Sequence, residues 1–206
     1  MEKDKMLAGQ LYNPADPELS RLRLKARRLA AEYNLTGDDE PEKQSAILRK
    51  LFPEAEHLPF LQAPIHFDYG CFTHFGKNVS ANVNLTVLDC CPIRIGDNVM
   101  IGPNCTLAAP MHPFLPEERN PRILPDGSWF GQEYAKPITI EDDCWIASNV
   151  VICGGVTIGR GSVIGAGSVV TRSIPPRSLA AGNPCRVLRP ITQADAMMAP
   201  DAESKG

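Results

Sequence analysis

His112 stands in the segment Pro110-Met111-His112-Pro113, and its imidazole is the group here best suited to moving a proton at neutral pH. Such a ring can take the proton of a hydroxyl as that hydroxyl attacks a carbonyl. A loop histidine can equally cap backbone carbonyls, and the tetrapeptide alone does not choose. The other histidines, His57, His66 and His74, fall outside any comparable segment. A zinc site would need three imidazoles, and the surroundings of His66, His74 and His112 do not resemble a metal-binding pattern. The seven cysteines are an odd number and no pair has metal-ligand spacing. They read as reduced thiols, several in positions that want a small apolar group.

The elements that must hold His112 announce themselves by period. From Phe75 an aliphatic or small residue recurs every six positions: Phe75, Ala81 and Val87, then Ile95, Ile101 and Leu107. After an interruption the series resumes at Ile140, Ile146, Ile152, Ile158, Ile164 and Val170. Glycine or alanine often follows the key residue, as at Gly96, Gly102, Ala147, Gly159 and Gly165. Asn or Asp fills the slot between units at Asn78, Asn98, Asn104, Asp143 and Asn149. Six residues make a short strand and a tight corner, and Gly, Asn and Asp tolerate the positive φ a corner needs. Stacked units would bury a continuous aliphatic column and pair each coil with its neighbours. A β-sandwich would space its turns at roughly 8–12 residues instead. His112 lies where the repeat fails, between 108 and 137, in a stretch rich in Pro, Gly and charge that carries Trp129, Phe130 and Tyr134. A long loop inside a repeat array is usually functional.

Ahead of the repeat, residues 1–60 read as helical. Asp16 followed by Pro17 is a helix-start signal. Leu22, Ala26, Leu29, Ala30 and Tyr33 share one face, and Gly37 stops the helix. A second helix is expected over 42–52, with Pro53 after it. The organisation is thus an N-terminal helical segment 1–60, a repeat body 61–190 with its inserted loop, and a flexible tail 191–206.

Composition narrows the function classes. A net charge of -3 gives no basic character, so nucleic acid and anionic membrane are not expected partners. No apolar run approaches the ~20 residues of a membrane span. The start MEKDKMLAGQ lacks a signal-peptide core, so a cytoplasmic location is expected.

The repeat region resembles the hexapeptide-repeat acyltransferases, and the whole chain resembles their maltose, galactoside and nodulation-factor O-acetyltransferase branch. The resemblance runs from about Lys5 to Pro190. It rests on MLAGQLYNPADPEL, ANVNLTVLDCCPIRIGDNVMIGPNCTL, APMHPF and VIGAGSVVTRSIPPRSLAAGNPCRV taken together. It implies an all-β, left-handed parallel β-helix capped by N-terminal helices. It further implies a homotrimer with active sites between subunits, acetyl-CoA as co-substrate, no metal, and a sugar hydroxyl as acceptor.

Residue by residue, the resemblance makes His112 the catalytic base. Asp68 and Asn82 match acceptor-contacting positions, as does Asp16, for which a plain helix N-cap is an equal reading. Trp145 and Ser148 fall near the CoA thiol and Ala166 along the pantetheine arm. Thr171 and Arg172 fall further out, and Arg186 and Arg189 meet the nucleotide phosphates. The galactoside branch carries a second carboxylate just after Asp89, where this chain has Cys90, which points to a glucose- or maltose-type acceptor. The loop is longer than in similar enzymes, with 124–134 as added material whose aromatics could stack on an acceptor or pack on a neighbouring subunit. Two rivals remain at this level: the same donor with a non-sugar acceptor such as an antibiotic, and a non-catalytic or metal-binding coil.

Overall fold

The computed structural model describes residues 1–197. The chain folds as a parallel β-helix of about six turns, preceded by three helices: α1 (Glu2–Leu7), α2 (Pro17–Asn34) and α3 (Pro41–Leu51). Two-to-four-residue strands stack into three parallel faces. One holds Ile65–Phe67, Leu85–Leu88, Thr106–Ala108, Val151–Cys153 and Val169–Val170. A second runs from Phe60–Leu61 to Ser178–Ala181 and a third holds Thr73–Phe75, Ile93–Ile95, Ile138–Ile140 and Thr157–Ile158.

The six-residue period produces this shape because one inward side chain and one corner alternate. Ile101, Ile146 and Ile164 line up in register on one face, and Val87, Leu107, Ile152 and Val170 on another, all buried. Burying each such side chain stabilises the fold by roughly 1.5–3 kcal/mol before entropy is counted. The corners take positive φ at Asn78, Asn98 and Asp143 on one edge and at Asn84, Asn104 and Asn149 on another. Their amides form ladders: Asn78 Nδ2 donates to Asn98 Oδ1 at 3.1 Å and Asn98 Nδ2 to Asp143 Oδ1 at 2.9 Å.

Coil length is not constant. Ile65 pairs with Leu85, whereas further along Val151 pairs with Val169, so the early coil is two residues longer. The added residues fall at one edge, around 68–72 and 89–92. There Asp89 is fully buried, accepting the N–H of Tyr69 at 2.8 Å and the hydroxyl of Thr73 at 3.0 Å.

The helices cap the open first coil. Asn34 donates to the Ile65 carbonyl at 2.9 Å and accepts its N–H at 2.7 Å, so a side-chain amide replaces the missing strand neighbour. Phe52 packs edge-on against Phe67 and Phe75, centroids 5.0 and 4.9 Å away. At the other end the antiparallel strand Arg186–Pro190 covers Ser178–Ala181. Of the expected flexible tail, 191–197 carries a short turn over Gln193–Asp195, and 198–206 lie outside the described residues.

Candidate functional site

The inserted segment leaves the five-stranded face after Thr106–Ala108 and returns beside itself. Pro110–Met111 pairs antiparallel with Tyr134–Ala135, which brings the residues after Met111 next to those before Tyr134. His112 and Glu133 therefore meet: Nε2 lies 3.9 Å from Oε2, an ion-pair distance that becomes one when the imidazole is protonated. More than half of the His112 side chain is open to solvent, whereas that of Glu133 is only 13% exposed.

Glu133 is held from behind. Its N–H and carbonyl exchange backbone hydrogen bonds with Tyr12, at 3.2 and 3.0 Å. The Tyr12 hydroxyl, from the segment between α1 and α2, donates to Oε1. Tyr12 is buried, and burial, the nearby Cys90 thiol and Glu133 all push its phenol far above the usual range. The phenol thus stays a donor at any working pH. Burial likewise pushes the Cys90 thiol up to about 12, leaving it neutral and inert.

The remaining expected residues fall into separate places. Asp68 ends the strand Ile65–Phe67 at the same edge of the five-stranded face and pairs with Arg27 of α2 at 2.9 Å. It lines a cavity of about 380 Å³ with Asn34 and His66. Asp16 caps α2, its Oδ1 accepting the N–H groups of Glu18 at 2.9 Å and Leu19 at 3.3 Å. Asn82 is exposed at the opposite edge of the five-stranded face, where it shares a cavity of about 240 Å³ with Gln62, Gly102 and Trp145.

Ser148 and Ala166 stack at that same opposite edge one coil apart, the Gly167 N–H donating to the Ser148 carbonyl at 2.9 Å. Small residues there leave backbone accessible to an extended ligand. Thr171 and Arg172 instead follow Val169–Val170 at the edge that carries Asp68 and the His112 loop. Arg186 and Arg189 lie on the last strand, where Arg189 pairs with Asp195 at 2.7 Å. One chain thus places Asp68, His112, Thr171 and Arg172 at one edge of the five-stranded face and Asn82, Ser148 and Ala166 at the other. Among the described residues no group of three or more His, Cys, Asp or Glu could hold a metal ion.

Reasoning from sequence missed Tyr12 and Glu133. It also read 108–137 as one loop, whereas Arg122–Ile123 and Trp129–Phe130 form a β-hairpin within it. The Leu124-Pro125-Asp126-Gly127 turn was the available signal: Gly127 takes φ 80° and donates to the Leu124 carbonyl at 2.9 Å, as a three-residue hairpin loop does.

Comparison with known proteins agrees with this architecture along the whole chain. Residues 5–56 match the maltose acetyltransferase hexapeptide capping motif, 92–109 the hexapeptide repeat of succinyl-transferase, and 137–172 the bacterial transferase hexapeptide of six repeats. A galactoside O-acetyltransferase of Escherichia coli (strain K12) is 41% identical over 192 residues, covering 93% of this chain and 90% of its own. The crystal structure of a maltose O-acetyltransferase from Clostridium difficile 630 superposes with a TM-score of 0.83 at 42% identity, covering 94% of this chain and 98% of that one. A galactoside acetyltransferase in complex with coenzyme A superposes at 0.82 with 40% identity, covering 95% and 93%. With such coverage at both ends and in the repeat body, the chain belongs to the hexapeptide-repeat acyltransferases, in their maltose, galactoside and nodulation-factor O-acetyltransferase branch.

Proposed function

We propose that this protein transfers the acetyl group of acetyl-CoA to a hydroxyl of a sugar, glucose- or maltose-type rather than galactoside, with His112 as general base. The observation that carries the reading is the His112–Glu133 pair, buttressed by Tyr12, on the loop that interrupts the coil. Similar proteins include a galactoside acetyltransferase solved with coenzyme A, which supports the donor. The Cys90 thiol, neutral and buried where the galactoside branch carries a carboxylate, supports the acceptor class.

The chemistry is direct transfer. The acceptor oxygen bonds to the thioester carbonyl carbon as its proton passes to His112, and Glu133 stabilises the resulting imidazolium. The tetrahedral oxyanion, held by backbone N–H groups, collapses with cleavage of the C–S bond. The thiolate of CoA leaves and recovers the proton from His112. Asp68 and Asn82 bind sugar hydroxyls, and Asp16 contributes through its oxygen not used for capping. Trp145, Ser148 and Ala166 line the pantetheine arm, with Thr171 and Arg172 further out and Arg186 and Arg189 toward the phosphates. No metal takes part.

The placement of His112 and Asp68 at one edge of the five-stranded face and of Asn82, Ser148 and Ala166 at the other supports a homotrimer in which each site is shared between neighbours. His112 of one subunit would then face Asn82, Ser148 and Ala166 of the next across a cleft. Acetyl-CoA use fits a cytoplasmic location; none of the described helices is long and apolar enough to cross a membrane.

Thiol release from acetyl-CoA across a sugar panel is the test. Glucose or maltose should release thiol faster than a galactoside, and His112→Ala should slow release by about 10²–10⁴-fold. Absence of release with every hydroxyl acceptor would overturn the proposal.

A further inference from the structure

The helix α2 carries five cations: Arg21, Arg23, Lys25, Arg27 and Arg28. Among the described residues, Arg23 and Arg27 are the two whose side chains are paired. They lie one turn apart on the same side of the helix, toward the edge of the five-stranded face that carries Asp68. Arg27, 65% exposed, takes Asp68 itself.

Arg23 is more deeply set and joins two separate pieces of chain. Its Nη1 donates to the Tyr69 hydroxyl and its Nη2 to the Pro14 carbonyl, each at 2.7 Å. The guanidinium carbon also lies 5.7 Å from the centroid of the Tyr69 ring. A rigid, planar fork can hold both partners at once, which a lysine cannot.

Both partners lead to the candidate site. Pro14 shares a cavity of about 270 Å³ with His112. It stands between Tyr12, which supports Glu133, and Asp16. Tyr69 follows Asp68 directly, at the corner where Asp89 accepts its N–H. Arg23 therefore ties the stretch of chain that reaches His112 from the cap to the coil corner that bears Asp68.

Charge favours the same placement. Burial works against the guanidinium, but Tyr69, Asp68 and Glu133 together outweigh it and hold Arg23 above the ordinary arginine range. The two carboxylates given roles above thus share the field of one partly buried cation. Arg27 is too exposed to replace it, because solvent screens its charge.

We infer that Arg23 is a positioning residue for acetyl transfer, holding the 12–16 segment and the Asp68 corner in one fixed relation so that an acceptor hydroxyl bound at Asp68 meets His112. The inference rests on the acetyltransferase reading above. Arg23 acts through Pro14 and Tyr69, not on the reacting atoms.

Steady-state thiol release with the fastest sugar of the panel, varying first the sugar and then acetyl-CoA, tests the role. Arg23→Gln should raise the KM for the sugar and lower its kcat/KM by about tenfold or more, as small misplacements of reacting groups do. The KM for acetyl-CoA should stay within about twofold, since Ser148 and Ala166 lie at the other edge of the face. Arg23→Lys keeps the charge without the fork and should fall between Arg23→Gln and wild type. Tyr69→Phe removes one partner, leaves Arg23 in place and should lower kcat/KM for the sugar by about threefold, which decides the matter even if Arg23→Gln does not fold. Arg21→Gln, at an exposed position of the same helix, should match wild type. A residue that only anchored the helix would lower the melting temperature, and kcat with the fraction folded, without moving the KM for the sugar. A sugar KM unaltered in Arg23→Gln, or in Tyr69→Phe where the former does not fold, overturns the positioning role while leaving acetyl transfer standing. Absence of thiol release from the wild-type protein with every hydroxyl acceptor overturns the acetyltransferase reading, and this role with it.

Discussion

Glu133 places its Oε2 atom 3.9 Å from Nε2 of His112, and does so from the return arm of the same loop. In the proposed mechanism the imidazole takes the acceptor's proton during attack, so a nearby carboxylate would favour the transition state over the ground state. Solvent reaches more than half of His112 and weakens the attraction. Glu133→Gln keeps an acceptor for Tyr12 and removes the charge. It should lower kcat by about tenfold, or ~1.4 kcal/mol, with the KM for acetyl-CoA unaltered. Steady-state kinetics decide the matter, and an unaltered kcat would remove Glu133 from the chemistry.

Tyr12 acts one step further back. Its hydroxyl donates to Glu133, and its backbone pairs with Glu133 whatever the side chain. Tyr12→Phe should therefore keep the loop attached while costing about 1 kcal/mol of stability from the lost hydrogen bond. Because it acts only through the carboxylate, its effect on kcat should be smaller than that of Glu133→Gln. In the double variant it should add little. Full additivity in a double-mutant cycle would show that Tyr12 works by another route.

The coil could be read before any coordinates because its determinants are local. Asn98 or Asn149 adopts positive φ through its own short polar side chain, and the inward residue six positions on follows from the strand that the corner permits. The two-residue skip between Val87 and Ile95 was equally visible, but not its purpose. Only the fold shows Asp89 buried at that wider corner, under a cap whose Phe52 packs on Phe67 and Phe75. Glu133 escaped notice for a similar reason. Its partners are His112 and Tyr12, the latter 121 residues away, and a glutamate in a polar loop looks like a solvated charge. The Pro125-Asp126-Gly127 turn is legible by turn chemistry, since the glycine supplies the positive φ that a short hairpin loop needs.

Asp89 makes a prediction about pH. Burial raises its carboxyl from 3.8 to about 6, the bonds from Tyr69 and Thr73 only partly opposing the shift. Between those two values the folded chain keeps a proton that the unfolded chain has released. Asp89 therefore contributes stability that is full below pH ~4 and lost as pH rises through ~6, a swing of about 3 kcal/mol. Asp89→Asn removes the swing and keeps the shape. The melting temperature of the variant relative to wild type should rise between pH ~4 and ~6 and be level above that. A difference that does not vary with pH would mean that the folded carboxyl titrates where an exposed one does.

Placement of His112 at one edge of the five-stranded face and of Asn82 at the other predicts complementation between inactive chains. If the chain forms the proposed trimer and each site joins one subunit's His112 to its neighbour's Asn82, His112→Ala and Asn82→Ala homotrimers should both be weak. Co-expressed at equal levels they would then form mixed trimers, in which about one site in four carries both native residues. Thiol release from the co-expressed protein should then recover to about a quarter of wild type, whereas mixing purified homotrimers without subunit exchange should recover none. If each chain carried a complete site of its own, the mixed trimers would be no more active than the average of the two variants. The size of the recovery thus reads directly whether the two edges of the face serve one reaction.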